Sequence, residues 1–487
     1  MPSPPGAQAV VVAGKSIYAP GGEGISQNNP GICYRARAGG QVGMRLEHAL
    51  EYVSGVAPVD LGDFRQHLDP EWIEQALQAT GTATVRHRRL PAEQVAWLVI
   101  GMALIRNERI CDVVDRLELA LPGRSAQVAA SAIPQARARL GAEPMAWLFT
   151  RSADAWAHSS ARAHAWRGLA VYGVDGSTLR VADSPENRAH FGAANGVRGA
   201  CGYPQVRLVA LMALRSHLLA QVAFGPYETG EVTYAEELWP SVPDDSVCII
   251  DRGFFAAGIL LALNQGASNR HWLTRAKSNL AWRVVEKLGR GDQIVEMDIR
   301  APARKKHPWL PHTWRMRAIS YCRKGFRPQI LLTSMLDPVA FPASELADLY
   351  HERWELELAY DEIKTEMLER EETLRSKSPQ SVSQELWGIF IAYNLVRLEM
   401  ERIADELHLP PTRISFVTAL TRIVDVWSWM AIASPGTIPK HLLAYRLRLK
   451  RLILPPRRSN RSYPRAVKIK MSNYPRNRRS PSGESLN

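Results

Sequence analysis

Four short apolar runs between residues 169 and 250 constrain the fold of this chain more than any other feature. They are Leu169–Val174, Val206–Leu214, Leu218–Phe224 and Val247–Ile250. The runs contain β-branched residues and are bounded by Gly, Pro and Asp, which is typical of buried strands. The segments 233–238 and 255–264, which follow the third and fourth runs, have the pattern of helices. Three strands, a helix, a fourth strand and a second helix indicate an α/β core.

Two aspartates follow predicted strands of this core. Asp175 comes directly after the first run, and Asp251 comes directly after the fourth. An acid in this position is placed at the edge of the sheet, where α/β proteins commonly have their sites. Two such carboxylates on neighbouring strands could share divalent metal ions, since Mg²⁺ prefers carboxylate oxygens together with water and phosphate oxygens. The alternative is a turn aspartate at each position, because Asp-Gly is a frequent turn dipeptide.

A further set of polar residues lies on a helix predicted around Tyr350–Met367. At about 100° per residue, four of its side chains fall within an arc of about 60° beside an apolar stripe. They are Tyr350, Arg353, Glu357 and Lys364. Glu can bind a metal ion, while Arg, Lys and Tyr can bind phosphate oxygens. The alternative is an ion-paired helix face, because Arg353 and Glu357 are four residues apart.

The pattern of the remaining sequence predicts further regions. Residues 1–45 are rich in Gly, Pro, Ala and Ser and indicate a flexible leader. Residues 46–155 have a helical pattern, which fits a DNA-binding or dimerising domain and, equally, a domain that braces the rest. Residues 268–335 alternate apolar and polar positions, which predicts a β-rich insertion. Helices are predicted again at 376–440, before a basic tail at 441–487.

Together these residues resemble a known family. Asp175, Asp251 within Asp-Arg-Gly-Phe, and the spacing Tyr350-x2-Arg353-x3-Glu357-x6-Lys364 are similar to the DDE triad and the Tyr-Arg-Glu-Lys signature of the IS4 family of transposases. The resemblance implies an RNase H-like catalytic core at 165–375 that contains the β-rich insertion. It also implies a transposase that binds the terminal inverted repeats of an insertion sequence and joins them to target DNA, working as a homodimer or larger assembly.

The resemblance implies a role for each residue of the site. Asp175, Asp251 and Glu357 would be catalytic and would bind two Mg²⁺ ions, for which Mn²⁺ can substitute, during in-line displacement at phosphorus. The side chains expected to contact DNA are Tyr350, Arg353 and Lys364, with Arg275 and Lys277 of the insertion as further candidates.

The distribution of charge agrees with DNA as the partner. The net charge is +13, and from Lys440 onward there are 14 Lys and Arg residues and one acid, whereas residues 1–439 contain 47 basic and 47 acidic side chains. The tail interleaves Tyr and Pro with cations and lacks the apolar face of a membrane-surface helix. The alternative for this tail is a purely solubilising role.

Other features indicate a cytoplasmic protein, and the resemblance implies that it associates with a prokaryotic nucleoid. The longest apolar run, Val95–Ile105, is shorter than the ~20 residues of a membrane-spanning helix. No signal-peptide pattern is visible, and the five cysteines are dispersed without a CxxC pair. A membrane partner and a disulfide framework are therefore not expected.

Competing functions are less well supported by the sequence. Glu362-Ile363-Lys364 matches the ExK part of the PD-(D/E)xK nucleases, but that motif belongs on a strand and this segment has a helical pattern. Neither a Gly-x-Ser-x-Gly elbow nor a Gly-x4-Gly-Lys-Ser/Thr phosphate loop is present. The remaining alternative is a catalytically inactive or domesticated DNA-binding protein derived from a transposase.

Overall fold

The computed structural model describes residues 68–83, 90–117, 128–194, 202–266, 268–323, 328–369, 373–422 and 452–455. The predicted leader lies outside these ranges, as does the basic tail apart from 452–455. The strands are β1 (Ala170–Arg180), β2 (Gln205–Ala213), β3 (Leu218–Pro226), β4 (Ser246–Ile250), β5 (Arg270–Arg275), β6 (Arg283–Gly289), β7 (Asp292–Asp298), β8 (Thr313–Tyr321) and β9 (Gln329–Thr333).

The helices that the structure describes precede, interrupt and follow these strands. They are α1 (Pro70–Ala79), α2 (Ala92–Leu104), α3 (Ile110–Arg116), α4 (Ala132–Leu140), α5 (Glu143–Ala163), α6 (Pro185–Phe191), α7 (Glu231–Glu236), α8 (Ala257–Asn264), α9 (Ala301–Lys306), α10 (Ala343–His351), α11 (Trp354–Asp361) and α12 (Pro379–Glu406). A π-helix, Glu362–Met367, follows α11. Within the described ranges, none of the helices combines the length and the hydropathy that crossing a membrane requires.

The four predicted strands lie side by side in one sheet. The strand order is β3-β2-β1-β4-β5-β9-β8-β7-β6. β1 pairs antiparallel with β2 and parallel with β4, and β4 pairs parallel with β5. All residues of β4 are buried, as expected for a parallel strand that is covered on both faces. The sheet is therefore mixed, and the α/β class predicted from the sequence is confirmed.

Strand β1 is longer than the apolar run from which it was predicted. The run ends at Val174, but the strand continues to Arg180 because β2 remains paired with it to that point. Its parallel partner β4 ends at Ile250, which lies opposite Val174. The prediction that Asp175 follows the strand was therefore wrong: Asp175 lies within β1, although it is the first residue beyond the parallel pairing.

Strands from the predicted β-rich region extend the same sheet. β5 pairs parallel with β4 on one side and antiparallel with β9 on the other, with Leu273 opposite Thr333. From β9 the sheet continues through β8 and β7 to the edge strand β6, whose residues are almost all exposed. Gly291, with a φ of +75°, lies in the turn between β6 and β7, where this backbone region favours glycine. The chain thus passes from β5 through β6, β7 and β8, on the far side of the sheet, before β9 returns to the position beside β5.

The long helix α12 packs against α2 and α5. Nearly every residue of α2 is buried, which agrees with the helical pattern of residues 46–155 and with the apolar run Val95–Ile105. At the crossing of α2 and α12, a Cβ added to Gly388 would lie 2.7 Å from the backbone oxygen of Val99. A glycine at position 388 therefore allows the two helix backbones to approach closely. Helices from before and after the sheet share one core.

A buried polar network centred on Glu385 of α12 binds the segment between the π-helix and α12. Glu385, which is 2% exposed, accepts a hydrogen bond of 2.7 Å from Arg106. It also accepts hydrogen bonds from the backbone N–H of Arg375 and from the backbone N–H and hydroxyl of Ser376. Burial raises the pKa of Glu385, but Arg106 and these hydrogen bonds together hold that pKa below its ordinary value. Glu385 is therefore a buried carboxylate with four donors.

His164 gives the contact between α5 and α12 a dependence on pH. Its Nε2 lies 2.8 Å from Oε1 of Glu401, and this hydrogen bond raises the pKa of His164 above 6.5, although burial acts in the opposite direction. A raised pKa contributes stability that is complete below the unfolded-state pKa and is lost as pH rises through the folded-state pKa. We expect His164→Gln to lower the unfolding free energy by about 1–2 kcal/mol near pH 5.5 and by much less near pH 8.5 in urea denaturation.

His158, which lies within α5, is the control for this prediction on His164, the residue that ends the helix. Burial lowers the pKa of His158, so its contribution to stability is lost as pH falls. His158→Gln should therefore show the opposite trend with pH. Equal losses for His164→Gln at both pH values would contradict a charged pair between His164 and Glu401.

Candidate active site

The two aspartates predicted from the sequence meet at one end of the parallel strands. Val174 and Ile250 are the last paired residues of β1 and β4, so Asp175 and Asp251 follow side by side. The Asp251 carboxylate caps the short helical turn Arg252–Phe254 and accepts a hydrogen bond of 3.1 Å from the backbone N–H of Gly253. The sheet therefore brings together two carboxylates that are far apart in the sequence.

The environment of Asp175 disfavours its charged form. Burial raises the pKa of Asp175 to about 6, and the nearby Asp251 and Glu231 act in the same direction. The backbone N–H of Gly176, which donates to the Asp175 carboxylate at 2.8 Å, and the Arg353 guanidinium lower the pKa in part. A carboxyl group with a strongly shifted pKa beside a second carboxylate is typical of functional sites.

The residues of the Tyr-Arg-Glu-Lys pattern lie on three helical segments. Tyr350 is in the last turn of α10, Arg353 caps α11, Glu357 is in its first turn and Lys364 is in the π-helix. The prediction of a single continuous helix around Tyr350–Met367 was therefore wrong. Near residues 352–356 the backbone hydrogen bonds run from residue i to i−3, which tightens the chain between α10 and α11. In the π-helix the wider turn changes the angular spacing again.

The guanidinium of Arg353 lies among the three predicted catalytic carboxylates. Its Nη2 donates a hydrogen bond of 2.6 Å to Oε1 of Glu357, and its Nη1 lies 3.9 Å from Oδ2 of Asp175. Arg353 also lines a cleft together with Asp251. Burial lowers the pKa of Arg353, but Glu357, Tyr350 and Asp251 raise it overall. The ion pair considered as an alternative for this helix is thus present, and it is part of the same cluster.

The cleft beside Asp251 has a volume of about 340 Å³ and contains cationic and phenolic side chains. Three of the residues predicted to contact DNA line it: Arg275, Tyr350 and Arg353. Burial raises the pKa of Tyr350 to about 12, so its phenol stays protonated near neutral pH and can donate a hydrogen bond. Lys277 and Lys364 are not among the lining residues. Lys277 follows β5, and Lys364 is partly buried in the π-helix.

The insertion strands add side chains to this cleft that the sequence did not single out. Tyr321 is the last residue of β8, Arg323 follows that strand, and Gln329 begins β9. The Tyr321 hydroxyl donates to Oε1 of Gln329 at 3.1 Å. Arg323 pairs with Asp348 at 2.6 Å. The alternating pattern predicted strands here, but their position next to Asp251 depends on the pairing of β5 with β9.

The donor chemistry of Asp175, Asp251 and Glu357 suits a divalent metal ion. Three carboxylates provide the hard oxygen ligands that Mg²⁺ and related cations prefer. In the part of the chain that the structure describes, no group of three or more His, Cys, Asp and Glu side chains is close enough to hold a metal ion. Instead, the Arg353 guanidinium contacts two of these carboxylates. The three carboxylates are therefore of the type that binds a metal ion, and in this structure the Arg353 guanidinium supplies the positive charge beside them.

Comparisons with known proteins agree with this description. Residues 166–395 match the family described as transposase DDE domain, and residues 58–150 match insertion element 4 transposase N-terminal. Transposase InsG for insertion sequence element IS4, from Escherichia coli K12, is 39% identical over 436 residues, which cover 89% of this chain and 97% of InsG. InsZ of the same organism is 40% identical over 226 residues, which cover 46% of this chain and 74% of InsZ.

A solved structure is also similar, although distantly. The cryo-EM structure of the piggyBac transposase synaptic complex with hairpin DNA aligns with a TM-score of 0.38 at 12% identity, covering 86% of this chain and 87% of that one. At this TM-score the likeness carries no conclusion about the fold.

The matched catalytic domain defines the class: the protein is a DDE transposase, and domains of this class generally use a divalent metal ion. The 39% identity with InsG over most of both chains, together with the matched N-terminal region, also shows the family within this class. The chain belongs to the IS4 family of transposases, as the resemblance at the level of its motifs predicts.

Proposed function

We propose that this transposase cleaves DNA at the terminal inverted repeats of an insertion sequence and joins the ends to target DNA, with Asp175, Asp251 and Glu357 as its catalytic triad. One observation carries the proposal. The Arg353 guanidinium bonds to Glu357, lies 3.9 Å from Asp175 and lines the cleft that contains Asp251. Three acids from distant parts of the sequence thus surround one cation.

The topology of the sheet supports an RNase H-like core for residues 165–375. In the order β3-β2-β1-β4-β5, the first three strands are antiparallel and β4 and β5 are parallel, so Asp175 lies within one central strand and Asp251 directly after its neighbour. The β6–β9 excursion then corresponds to the insertion. Because α2 and α5 pack against α12, and α5 also packs against β1 and β3, the described helices of the N-terminal region would brace this core in addition to a role in DNA binding or dimerisation.

Asp175, Asp251 and Glu357 would hold Mg²⁺, for which Mn²⁺ can substitute. When bound, the metal supplies activation of the attacking hydroxyl group and stabilisation of the leaving oxygen. The chain itself supplies positioning. Tyr350 donates its phenolic hydrogen to a phosphate oxygen, and the fixed forks of Arg353 and Arg275 can bind phosphate through two donors each. Lys277 and Lys364 would contact the DNA backbone outside this cleft.

The chemistry is the transfer of a phosphoryl group between oxygen atoms. In cleavage, a water oxygen forms a bond to phosphorus while the bond from phosphorus to the DNA 3′ oxygen breaks, and that oxygen gains a proton. In strand transfer, the freed 3′-hydroxyl loses its proton as its oxygen forms a bond to a target phosphorus, while the bond from that phosphorus to the target 3′ oxygen breaks and this oxygen gains a proton. Neither step forms a bond to the protein, which agrees with a site built from carboxylates and cations.

The partners follow from this reaction. Terminal inverted repeats occur in pairs, so a dimer or larger assembly is needed to hold both ends at once. The basic residues after Lys440 would add phosphate contacts and a salt-dependent contribution to DNA affinity. Association with the nucleoid follows from binding DNA in this way.

The proposal is tested with duplexes that carry the inverted repeats flanking the element. With Mg²⁺ or Mn²⁺ the protein should cut at the repeat and leave a 3′-hydroxyl, and chelation of the metal should stop cleavage. Asp175→Asn and Asp251→Asn should each reduce cleavage by about 10³-fold or more while retaining repeat binding. Asp183→Asn is the control, because Asp183 is partly exposed and pairs with Arg188 away from the triad.

Two outcomes would contradict the proposal. Cleavage by both aspartate variants at the rate of the unmodified protein would show that the triad is not catalytic. Repeat binding without any cleavage by the unmodified protein would favour the alternative of a DNA-binding protein that has lost transposase activity.

A further inference from the structure

The positive charge of Arg353 lies beside the carboxylates of the proposed triad. Asp175 and Asp251 are adjacent at the ends of parallel pairing, and Glu357 approaches from α11. Carboxylates this close together repel one another unless a cation compensates them. The 2.6 Å hydrogen bond from Arg353 to Glu357 and its 3.9 Å approach to Asp175 supply that compensation from within the chain.

The same guanidinium can bind a second kind of anion. It lines the cleft beside Asp251, where Arg275 and the protonated phenol of Tyr350 are also present. Guanidinium groups bind phosphate and carboxylate with the same pair of parallel hydrogen bonds. The Arg353 side chain is 21% exposed, so a DNA phosphate entering the cleft can reach it. Arg353 therefore has two alternative anionic partners, and one fork of donors cannot fully satisfy both.

We propose that Arg353 is an internal counter-ion that weakens divalent-metal binding by the triad until a DNA phosphate takes over its hydrogen bonds. The inference rests on the proposed function, because it takes the triad as the metal site. When Arg353 turns to phosphate, Glu357 and Asp175 regain the negative charge that favours a cation. Binding of DNA and binding of metal then strengthen each other, as linkage requires. Free protein would hold metal weakly and would have little capacity for unspecific hydrolysis of DNA.

The test measures metal affinity in the absence of DNA. Mn²⁺ is titrated into the full-length protein, and the free ion is followed by electron paramagnetic resonance. Arg353→Ala should bind Mn²⁺ about tenfold or more tightly than the unmodified protein, because one close charge interaction is removed from the site. Arg353→Lys, which keeps the charge without the planar fork, should give an intermediate affinity and covers the case in which Arg353→Ala does not fold.

Arg323→Ala is the matched control. It removes the same charge from the same cleft, but Arg323 pairs with Asp348 instead of a triad carboxylate. Its Mn²⁺ affinity should remain within about twofold of the unmodified protein, since the general loss of one partly exposed charge is screened by solvent and salt. An equal gain in affinity for Arg323→Ala and Arg353→Ala would overturn the counter-ion role.

A double variant separates failure of this inference from failure of the proposed function. Adding Asp251→Asn to Arg353→Ala should abolish the gain in Mn²⁺ affinity. If Asp251→Asn weakens binding in every background but Arg353→Ala brings no gain, the triad binds metal and only the counter-ion role is wrong. If Asp251→Asn leaves the tight binding of Arg353→Ala unchanged, the metal lies elsewhere, and both the inference and the proposed metal site are wrong.

Discussion

Glu357→Gln is expected to reduce DNA strand cleavage by about 10³-fold or more, which is the scale of losing a group that stabilises charge in the transition state. The substitution keeps the size of the side chain and its place in the first turn of α11, and removes one negative charge. A neutral amide oxygen is a poor ligand for a divalent cation compared with a carboxylate. The expected loss therefore concerns the chemical step.

Binding of the inverted repeat should respond differently to this substitution. Glu357 accepts a 2.6 Å hydrogen bond from Arg353. Neutralising Glu357 weakens this hydrogen bond, so the guanidinium can bind phosphate more readily. We expect unchanged or slightly tighter repeat binding, measured by fluorescence anisotropy, together with the loss of cleavage in single-turnover assays. Glu366→Gln, the same change nine residues further along, is the control. Cleavage by Glu357→Gln within tenfold of the unmodified protein would exclude Glu357 from the triad.

Glu385→Gln is expected to be the most destabilising of the substitutions considered, at about 3–5 kcal/mol of unfolding free energy. The carboxylate accepts hydrogen bonds from four donors, two on each oxygen. A glutamine amide turns one of those oxygens into an NH₂ group, which faces donors instead of accepting from them. It also leaves the buried Arg106 without its carboxylate partner, and an uncompensated buried charge is costly.

The midpoint of guanidinium unfolding is the measurement for Glu385→Gln. Glu345→Gln is the control, because it also breaks an ion pair, with Arg167, but one in which both side chains are about 40% exposed. Exposed pairs contribute little to stability, so this control should unfold close to the unmodified protein. Similar midpoints for Glu385→Gln and the unmodified protein would mean that the network around Arg106 contributes little to folding.

The sequence was sufficient to predict the centre of the sheet because burial on both faces leaves a visible pattern. β2, β3 and β4 begin and end within about two residues of their apolar runs. The end of β1 could not be predicted in this way. Past Val174 the strand pairs with β2 alone, and the residues from Asp175 to Thr178 are only partly buried, so the apolar signal stops while the hydrogen bonds continue.

For the helical part of the site, the sequence predicted the residue types but not the geometry of the helical segments that carry them. Periodicity at 100° per residue correctly grouped Arg353 with Glu357, because four residues along α11 separate neighbours on one face. It placed Tyr350 and Lys364 on the same continuous line, whereas the structure has a tight turn before α11 and a π-helix after it. Apolar spacing does not report which backbone hydrogen bonds are made, so these changes of helix type left no signal.

The order of the outer strands has a consequence for how this enzyme can diversify. The chain leaves β5 at Arg275 and returns at Gln329 on β9, the strand that pairs with β5, with Arg275 opposite Leu331. The segment between these points, which includes β6, β7 and β8, is an insertion in the strand order. Its removal or exchange would leave β9 beside β5 and the order of the other strands unchanged. Its base also contributes Tyr321, Arg323 and Gln329 to the cleft. Under the proposed function, exchange of this one segment would therefore change residues of the DNA-binding cleft while the strand order β3-β2-β1-β4-β5 stays unchanged.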